Sequence, residues 1–277
     1  MRTILALLLL LSSSLASADN CKFSAERNLD IDPAGLHALR VELGSSDLHL
    51  QGVADLKRIE VRGKACASEQ AWLADLNVTQ SREGDKIVIK PVKSPERHGA
   101  LLGNSYAYID LVVRIPAALA LEVDSGSGDA EIANIAALDF TAGSGDLKLE
   151  HVAGAVVVEV HSGDVVASDV ASFTLRKTGS GDVHANNLRG EVKVGHAGSG
   201  DLHFADVHGG VQIDSIGSGD LGVERIGGDV VLGSIGSGDV EANHVTGNLI
   251  VKAAGSGEIH REQIGGRVEV PKNRAAD

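Results

Sequence analysis

The chain has 277 residues, of which 43% are hydrophobic and 3% aromatic, and its formal net charge at pH 7 is −13. An acidic chain is a poor partner for nucleic acid, whose phosphates attract basic surfaces. The scarcity of aromatic side chains also leaves few platforms for stacking on sugar rings. The excess of carboxylates mainly predicts solubility.

Residues 1–18 are typical of a secretory signal. Arg2 precedes an apolar run from Ile4 to Leu11, and Ala16-Ser17-Ala18 supplies an A-x-A cleavage site. The apolar run is too short for a membrane span. We therefore expect a mature protein that begins at Asp19, is exported to the periplasm, the cell surface or the medium, and has no transmembrane segment after cleavage.

The mature chain contains two cysteines, Cys21 and Cys66. Export into an oxidising compartment favours a disulfide between them, and closing a loop of about 45 residues would stabilise the fold by about 4 kcal/mol on chain-entropy grounds. A metal site or a catalytic thiol is less favoured, because neither cysteine belongs to a Cys-x-x-Cys pair.

Residues 19–123 predict an irregular β-rich N-terminal part of a repeat structure. Residues 44–50 (GSSDLHL) resemble residues 198–204 (GSGDLHF) in the later repeats. The repeat is therefore expected to begin before residue 50. The 82 residues that separate Asp47 from Asp129 are expected to be degenerate rungs with insertions.

Within that irregular part, residues 76–78 and 87–89 flank a turn at 82–85 and predict a β-hairpin. Residues 94–105 predict a loop, and the alternation over 106–116 predicts a strand that leads into the regular array. Irregular insertions on a rigid scaffold are where a specific recognition surface is expected.

From residue 124 to residue 270 the motif Gly-Ser-Gly-Asp recurs every 17 to 19 residues. Units this short cannot bury a core alone and must stack on their neighbours, so each repeat is one rung of a solenoid. We assign a structural turn role to the acidic residue of each motif: Asp129, Asp146, Asp164, Asp182, Asp201, Asp220, Asp239 and Glu258.

Apolar residues recur in each rung at one, three, six, ten, twelve and often fifteen residues after the Asp. Steps of two are the period of a β-strand, so each rung predicts two short strands. The connections are too short for crossover helices. The predicted fold class is all-β, a single-stranded parallel β-helix or β-solenoid with about 18–19 residues per rung. In the rung that begins at Asp220 the apolar residues are Leu221, Val223, Ile226, Val230, Leu232 and Ile235.

Glycine stands eight residues after the Asp in five rungs, where we expect it to turn the chain between the two strands with a positive φ. In the last rung Arg261 takes an inward position and predicts a terminal cap. The solenoid is expected to end near Val270, before a polar tail at 271–277. The five glycines are Gly154, Gly190, Gly209, Gly228 and Gly247.

The segment Arg114-Ile115-Pro116, followed by Leu119, Leu121, Val123 and Gly126-Ser127-Gly128-Asp129, resembles the bacterial putative-adhesin family of GSGD β-strand repeat proteins. It is also similar to head GIN-type domains, and the resemblance covers about residues 35–270. It implies serial β-rungs and an exported or envelope-associated protein, and it supplies no catalytic residues.

Stacked Asp residues at one corner of the solenoid would place carboxylates about 5 Å apart, where they raise one another's pKa unless hydrogen bonds or cations compensate. We expect each Asp to cap its own turn by accepting local backbone N–H bonds. Weak, shared Ca²⁺ binding is the alternative, although the Gly-Gly-x-Gly-x-Asp pattern of calcium-binding β-rolls is not present.

Two further surface features are candidate sites. His184 and His203 lie two residues after an Asp on adjacent rungs and are weak metal candidates, but a solvated surface pair is favoured. Val157, Val231 and Ile250 form an outward apolar row that could dock a partner or a second copy of the chain; scattered surface hydrophobes explain them equally well.

The leading hypothesis is an exported, non-catalytic β-solenoid without a cofactor, an adhesin-like or scaffold module of the bacterial cell envelope. Its partner would be an envelope or extracellular protein or glycan. A calcium-dependent structural repeat protein is the first alternative. A polysaccharide-degrading β-helix enzyme is the second, and it would need an acid/base pair or a Ca²⁺ and Arg/Lys site that no local cluster in the sequence supplies.

Overall fold

The computed structural model describes residues 21–93 and 105–271, which form strands and one short 3₁₀ helix at Gln70–Asp75. The predicted secretory signal and nearly all of the predicted loop at 94–105 lie outside these residues. The strands are β1 (Phe23–Ile31), β2 (Ala38–Gly44), β3 (Leu48–Val53), β4 (Ile59–Ala67), β5 (Leu76–Glu83), β6 (Lys86–Lys93), β7 (Ala107–Pro116), β8 (Ala120–Ser125), β9 (Ala130–Ile135), β10 (Leu138–Ala142), β11 (Leu147–Val160), β12 (Val165–Thr178), β13 (Val183–Leu188), β14 (Val192–Ala197), β15 (Leu202–Val207), β16 (Val211–Ile216), β17 (Leu221–Ile226), β18 (Val230–Ile235), β19 (Val240–Val245), β20 (Leu249–Ala254), β21 (Ile259–Ile264) and β22 (Val268–Glu269).

The strands stack in two parallel ladders. In the first ladder β3 is followed by β9, β11, β12, β13, β15, β17, β19 and β21. In the second ladder β2 is followed by β8, β10, β11, β12, β14, β16, β18, β20 and β22. Strands β11 and β12 are long enough to run through both. The predicted all-β parallel solenoid is confirmed.

The N-terminal end is built by an excursion of the chain. Strand β7 pairs in parallel with the outer side of β3, and β6 does the same with β2. Strands β4 and β1 then extend the first ladder in antiparallel fashion, and β5 forms with β6 the predicted hairpin. The rungs of Asp47 and Asp129 are direct neighbours, because the Asp129 N–H donates to Asp47 Oδ1 at 3.0 Å. The expectation of degenerate rungs with insertions holds for β6 and β7, which stack in register on the outer side of β2 and β3, but no rung lies between those of Asp47 and Asp129.

A disulfide joins Cys21, just before β1, to Cys66 near the end of β4, with the two Cα atoms 5.5 Å apart. The predicted pairing is therefore present. It ties the outermost strand of the first ladder to its only strand neighbour among the described residues.

The core lies between the two ladders and follows the predicted offsets. Three phenylalanines, Phe140, Phe173 and Phe204, are fully buried, and the rings of the last two are 6.4 Å apart. Each such side chain contributes about 1.5–3 kcal/mol by leaving water. In the rung of Asp220 every predicted inward residue is at most 3% exposed: Leu221, Val223, Ile226, Val230, Leu232 and Ile235.

The chain bends at a position that the sequence did not reveal. The fifth residue after each repeat Asp or Glu258 has a φ of 53° to 59°, in the left-handed region. This bend lets the third and sixth residues both face the core, although side chains three positions apart point to opposite faces of a regular strand. The left-handed residues are Asn134, His151, Asp169, Asn187, Asp206, Arg225, His244 and Gln263.

The glycines eight residues after the Asp do not have the positive φ expected of them. They are required by close stacking of the rungs. A Cβ on Gly190 would lie 2.6 Å from the Ala171 carbonyl oxygen, and one on Gly209 would lie 2.5 Å from the Gly190 oxygen. Gly190, Gly209, Gly228 and Gly247 do lie between the two strands of their rungs, as predicted, but the predicted positive φ is wrong.

The two ends of the rod differ. At the N-terminal end the 3₁₀ helix packs Trp72 and Leu73 against the core. At the C-terminal end Arg261 lies above Ala242 in the inward column, and Val268 is 36% exposed. The regular strands finish at Glu269, next to the predicted end at Val270. A capping role for Arg261 stays a prediction.

Candidate functional site

The repeat Asp residues form a continuous column along one corner of the solenoid. From the Asp47 rung to the Glu258 rung, each Asp Oδ1 accepts the N–H of the equivalent residue in the next rung at 2.7 to 3.0 Å. The backbone carbonyl of the Asp accepts a further bond from the rung before it, as in Val183 N–H to Asp201 O at 2.8 Å. These bonds join neighbouring rungs, whereas the sequence analysis expected a donor within the same turn.

The second glycine of each Gly-Ser-Gly-Asp motif packs directly on the rung below. A Cβ at this position would lie 1.8 to 2.0 Å from a backbone carbonyl oxygen of the preceding rung, as for Gly200 over Gly181. Only glycine permits this approach. Stacking of the rungs thus accounts for both the Asp and the second Gly of the motif.

Asp110 adds a member to the Asp column that the sequence analysis missed. It precedes Leu111, which pairs with Leu48 and donates its N–H to the Asp47 carbonyl at 2.9 Å. Partial burial, and then the charge of Asp47, raise the pKa of the Asp110 carboxyl. No Gly-Ser-Gly precedes it; the signal was the Asp-Leu-x-apolar pattern that it shares with the Asp47 rung.

A shorter column stands at the opposite corner. Asp229 Oδ1 accepts the Asn248 N–H at 2.7 Å, and Asn248 Oδ1 accepts the Arg267 N–H at 2.8 Å. The bonds from the Asn248 backbone and side chain lower the pKa of Asp229. A side-chain amide can therefore fill the same role as a carboxylate.

The two metal candidates have the following geometry. His184 and His203 pair in register on adjacent rungs, with exposed rings whose centroids are 5.9 Å apart. Within residues 21–93 and 105–271, no group of three His, Cys, Asp or Glu side chains is arranged to hold a metal ion. The solvated surface pair predicted for the histidines stays a prediction, and weak, shared Ca²⁺ binding by the Asp column stays its alternative.

The predicted apolar row is only partly exposed. Val231 and Ile250 are direct neighbours on adjacent rungs, and both are half-buried, as is Val157. Val112 and Val166 are more exposed, at 49% and 46%, and both lie on the outward face of the first ladder.

A depression of about 260 Å³ lies on that outward face, where the regular rungs meet the N-terminal excursion. Four adjacent strands, β7, β3, β9 and β11, each contribute two outward residues in register. The lining side chains are therefore arranged as two rows of four. The first row is Val112, His49, Glu131 and Lys148, and the second is Arg114, Gln51, Ala133 and Glu150.

Ion pairs hold the rim of the depression. His49 Nδ1 lies 3.1 Å from Glu131 Oε2, and Lys148 Nζ lies 3.5 Å from Glu150 Oε1. Arg114 Nη1 donates to Glu60 on β4 at 2.9 Å. A recognition surface was expected in this irregular half, but these residues are not recognisable from the sequence, because four strands from distant parts of the chain assemble them.

The fold and its corners define a parallel β-solenoid whose rungs are joined by glycine packing and Asp bonds. The sequence profile of the Toastrack DUF4097 family matches residues 74–248, and the chain belongs to that family. No curated protein matches it. Among the described residues, no helix has the length and apolar character needed to cross a membrane.

Several crystal structures resemble the chain in fold. A putative adhesin from Bacteroides fragilis is 11% identical, with a TM-score of 0.48 over 90% of this chain and 98% of that one. A putative lipid binding protein from Parabacteroides distasonis is 18% identical, with a TM-score of 0.42 over 89% and 93%. A putative cell adhesion protein from Clostridium sporogenes is 14% identical, with a TM-score of 0.31 over 88% and 100%.

Proposed function

We propose that the protein is an exported, non-catalytic adhesin-like or scaffold module of the bacterial cell envelope. The observation that carries this proposal is that structural and surface positions of the rung are occupied by different residues. Residue types that repeat, the Asp and the second Gly of the motif, hold neighbouring rungs together. Outward residues change from rung to rung, so what varies along the rod is the surface that a partner would meet.

The outward position two residues after the Asp illustrates this variation, because it carries acidic and basic residues, histidine, one valine and one glycine on a regular backbone. A rigid support with a variable face suits recognition, since binding groups are commonly presented by a stable scaffold. From the Asp47 rung onwards the residues at this position are His49, Glu131, Lys148, Val166, His184, His203, Gly222, Glu241 and His260.

Two features support export. The first is the secretory signal predicted at residues 1–18. The second is the disulfide between Cys21 and Cys66, since disulfides persist in oxidising compartments such as the periplasm and the extracellular space. The proposed partner is an envelope or extracellular protein or glycan.

The test combines location with binding. A C-terminally tagged full-length chain would be expressed in a bacterium and fractionated, and purified residues 19–277 would be sedimented with isolated cell envelopes. We expect the tag outside the cytoplasm and saturable sedimentation of the purified protein. Cytoplasmic retention, or no binding to any envelope preparation, would contradict the proposal.

Two assays on the same purified protein address the alternatives. Release of reducing ends from acidic polysaccharides would overturn the non-catalytic role. A large rise in melting temperature with millimolar Ca²⁺, reversed by EDTA, would favour a calcium-dependent repeat protein, because ligand that binds only the folded state stabilises it. We expect neither effect.

A further inference from the structure

We propose that the depression on the outward face of the first ladder binds one neutral pyranose residue of a glycan. This inference rests on the proposed adhesin-like function and names the class of ligand that the site would take. Three observations carry it: the origin of the cavity, its size and its balance of charge.

The cavity exists because one small residue stands among long ones. Ala133 pairs in register with Gln51 on one side and with Glu150 on the other, and Glu131 precedes it on the same face of its own strand. All three neighbours have long side chains, so the position of Ala133 is the low point of the surface. Val112, 49% exposed, adds an apolar patch in the adjoining row.

The size suits a single sugar unit. Sites for drug-sized molecules have volumes of about 300–1,000 Å³. The depression, at about 260 Å³, lies just below that range and is open to solvent along the rod. A pyranose residue can enter while the rest of its glycan chain stays outside.

The chemistry of the lining matches the two sides of a pyranose ring. The C–H face of the seated sugar is apolar and can lie on Ala133, where no aromatic platform is present, while Val112, two strands away, offers an apolar contact to a linked neighbour. The hydroxyl groups around the ring need both acceptors and donors. Glu131 and Glu150 accept, and Gln51, with the cations of the rim, donates.

The balance of charge selects a neutral ligand. The cations Arg114 and Lys148 and the carboxylates Glu131 and Glu150 contribute equal and opposite charge to the lining. Each cation already has a carboxylate partner, with Arg114 bonded to Glu60 and Lys148 next to Glu150. A phosphate or uronate would have to compete with these carboxylates, whereas a neutral hydroxyl can bond to both partners of a pair.

A second depression gives the glycan chain a path. It shares Val112 with the first and continues across β4 and β1, where Arg62, Ser24 and Asn28 line it. A sugar seated over Ala133 would therefore have its linked neighbours directed over Val112 towards the N-terminal edge of the ladder.

The test is saturation-transfer NMR on purified residues 19–277 with methyl glycosides of glucose, galactose, mannose and N-acetylglucosamine. Glucuronate and inorganic phosphate serve as charged probes. We expect saturable binding of at least one neutral glycoside in the millimolar range and weaker binding of both anions. Absence of saturable binding by all four neutral glycosides, or tighter binding of an anion, would overturn the inference.

Matched variants locate the binding. Ala133→Phe fills the depression and should weaken the affinity at least tenfold. Asn243→Phe places the same side chain at the same offset of a distant rung and should leave the affinity unchanged. Should Ala133→Phe fail to fold by circular dichroism, Glu150→Gln, which removes one charged acceptor, should weaken binding three- to tenfold. Unchanged affinity in a folded pocket variant would refute the site.

The outcomes separate this inference from the proposed function. If Ala133→Phe loses the glycoside but the wild-type protein does not sediment with envelopes, the pocket stands and the envelope role fails. If the wild-type protein sediments with envelopes but binds no neutral glycoside, the envelope role stands and the pocket fails.

Discussion

Replacing Gly200 by alanine tests whether corner glycines hold the rungs together by contact rather than by backbone freedom. A Cβ on Gly200 would lie 2.0 Å from the Gly181 carbonyl oxygen, and real Cβ atoms essentially never show contacts below 3.0 Å. The backbone beneath is part of the preceding rung and cannot rotate away. The two rungs must therefore separate locally by about 1 Å, or the ladder must absorb the strain.

The size of the effect follows from the bonds that cross this corner. Ser199 N–H donates to the rung below at 2.7 Å, Asp201 N–H donates to an Asp carboxylate at 2.8 Å, and Asp201 O accepts at 2.8 Å. A separation of 1 Å would lengthen these contacts beyond hydrogen-bond range. Three bonds at about 1 kcal/mol each, together with about 1–2 kcal/mol of residual strain, predict a loss of about 4–5 kcal/mol.

The assay is urea unfolding followed by far-ultraviolet circular dichroism, with Ser199→Ala as the matched control. The Ser199 side chain is exposed, so that variant should stay within about 0.5 kcal/mol of wild type. Gly257→Ala makes an equally short contact, 1.8 Å from the Gly238 oxygen, but in the last rung, where the chain can detach. It should cost less than Gly200→Ala. Equal stability of Gly200→Ala and wild type would refute the contact argument.

Further predictions concern the Asp columns and the disulfide. Asp182→Ala removes the acceptor of the Asp201 N–H and should cost about 1–2 kcal/mol in urea unfolding, whereas Asp182→Asn keeps an acceptor and should recover most of it; equal losses would contradict the ladder. Reducing the disulfide should lower the unfolding free energy by about 4 kcal/mol, and an unchanged urea midpoint in dithiothreitol would show that the tie does not restrain the unfolded chain. The folded-state pKa of Asp110 is raised, so its contribution to stability is largest below the usual pKa and is lost as pH rises through the folded value. Asp110→Asn should therefore melt at a higher temperature than wild type at pH 7. The difference in melting temperature should shrink towards pH 4. The pKa of Asp229 is lowered, so its contribution to stability is present above the usual pKa and is lost as pH falls through the folded value. Asp229→Asn should therefore melt at a lower temperature than wild type at pH 7. A shift of the melting temperature in the same direction for Asp110→Asn and Asp229→Asn would contradict the opposite pKa shifts assigned to the two residues.

The repeat allowed the core and the parallel stacking to be predicted, because apolar offsets such as Leu221 and Val223 report directly which side of a strand faces inward. It did not locate the left-handed bend five residues after the Asp. That position carries residues as different as Arg225 and His151, since only the backbone conformation, and not the side chain, is common to the rungs. Half of the eight residues are Asn or Asp, which was the available hint.

The candidate site could not have been found from local sequence. Val112, Gln51 and Ala133 come from different strands, and their presence on one face of the sheet depends on the return of the chain to the first rung. The sequence shows that glycine recurs eight residues after the Asp, but it does not show why glycine is required there. A turn and a close contact both demand glycine, and only the position of the neighbouring rung distinguishes them.

The excursion at the N-terminal end also sets an order in which the protein can assemble. Strand β3 lies between β7 and β9, both of which come later in the chain. The carboxylate of Asp47 accepts its hydrogen bond from Asp129, 82 residues further along. Closing so long a loop makes this first stage the slow one. Every subsequent rung adds about 19 residues to a finished edge, so a chain that folds from its N-terminal end would nucleate there and then grow by templating.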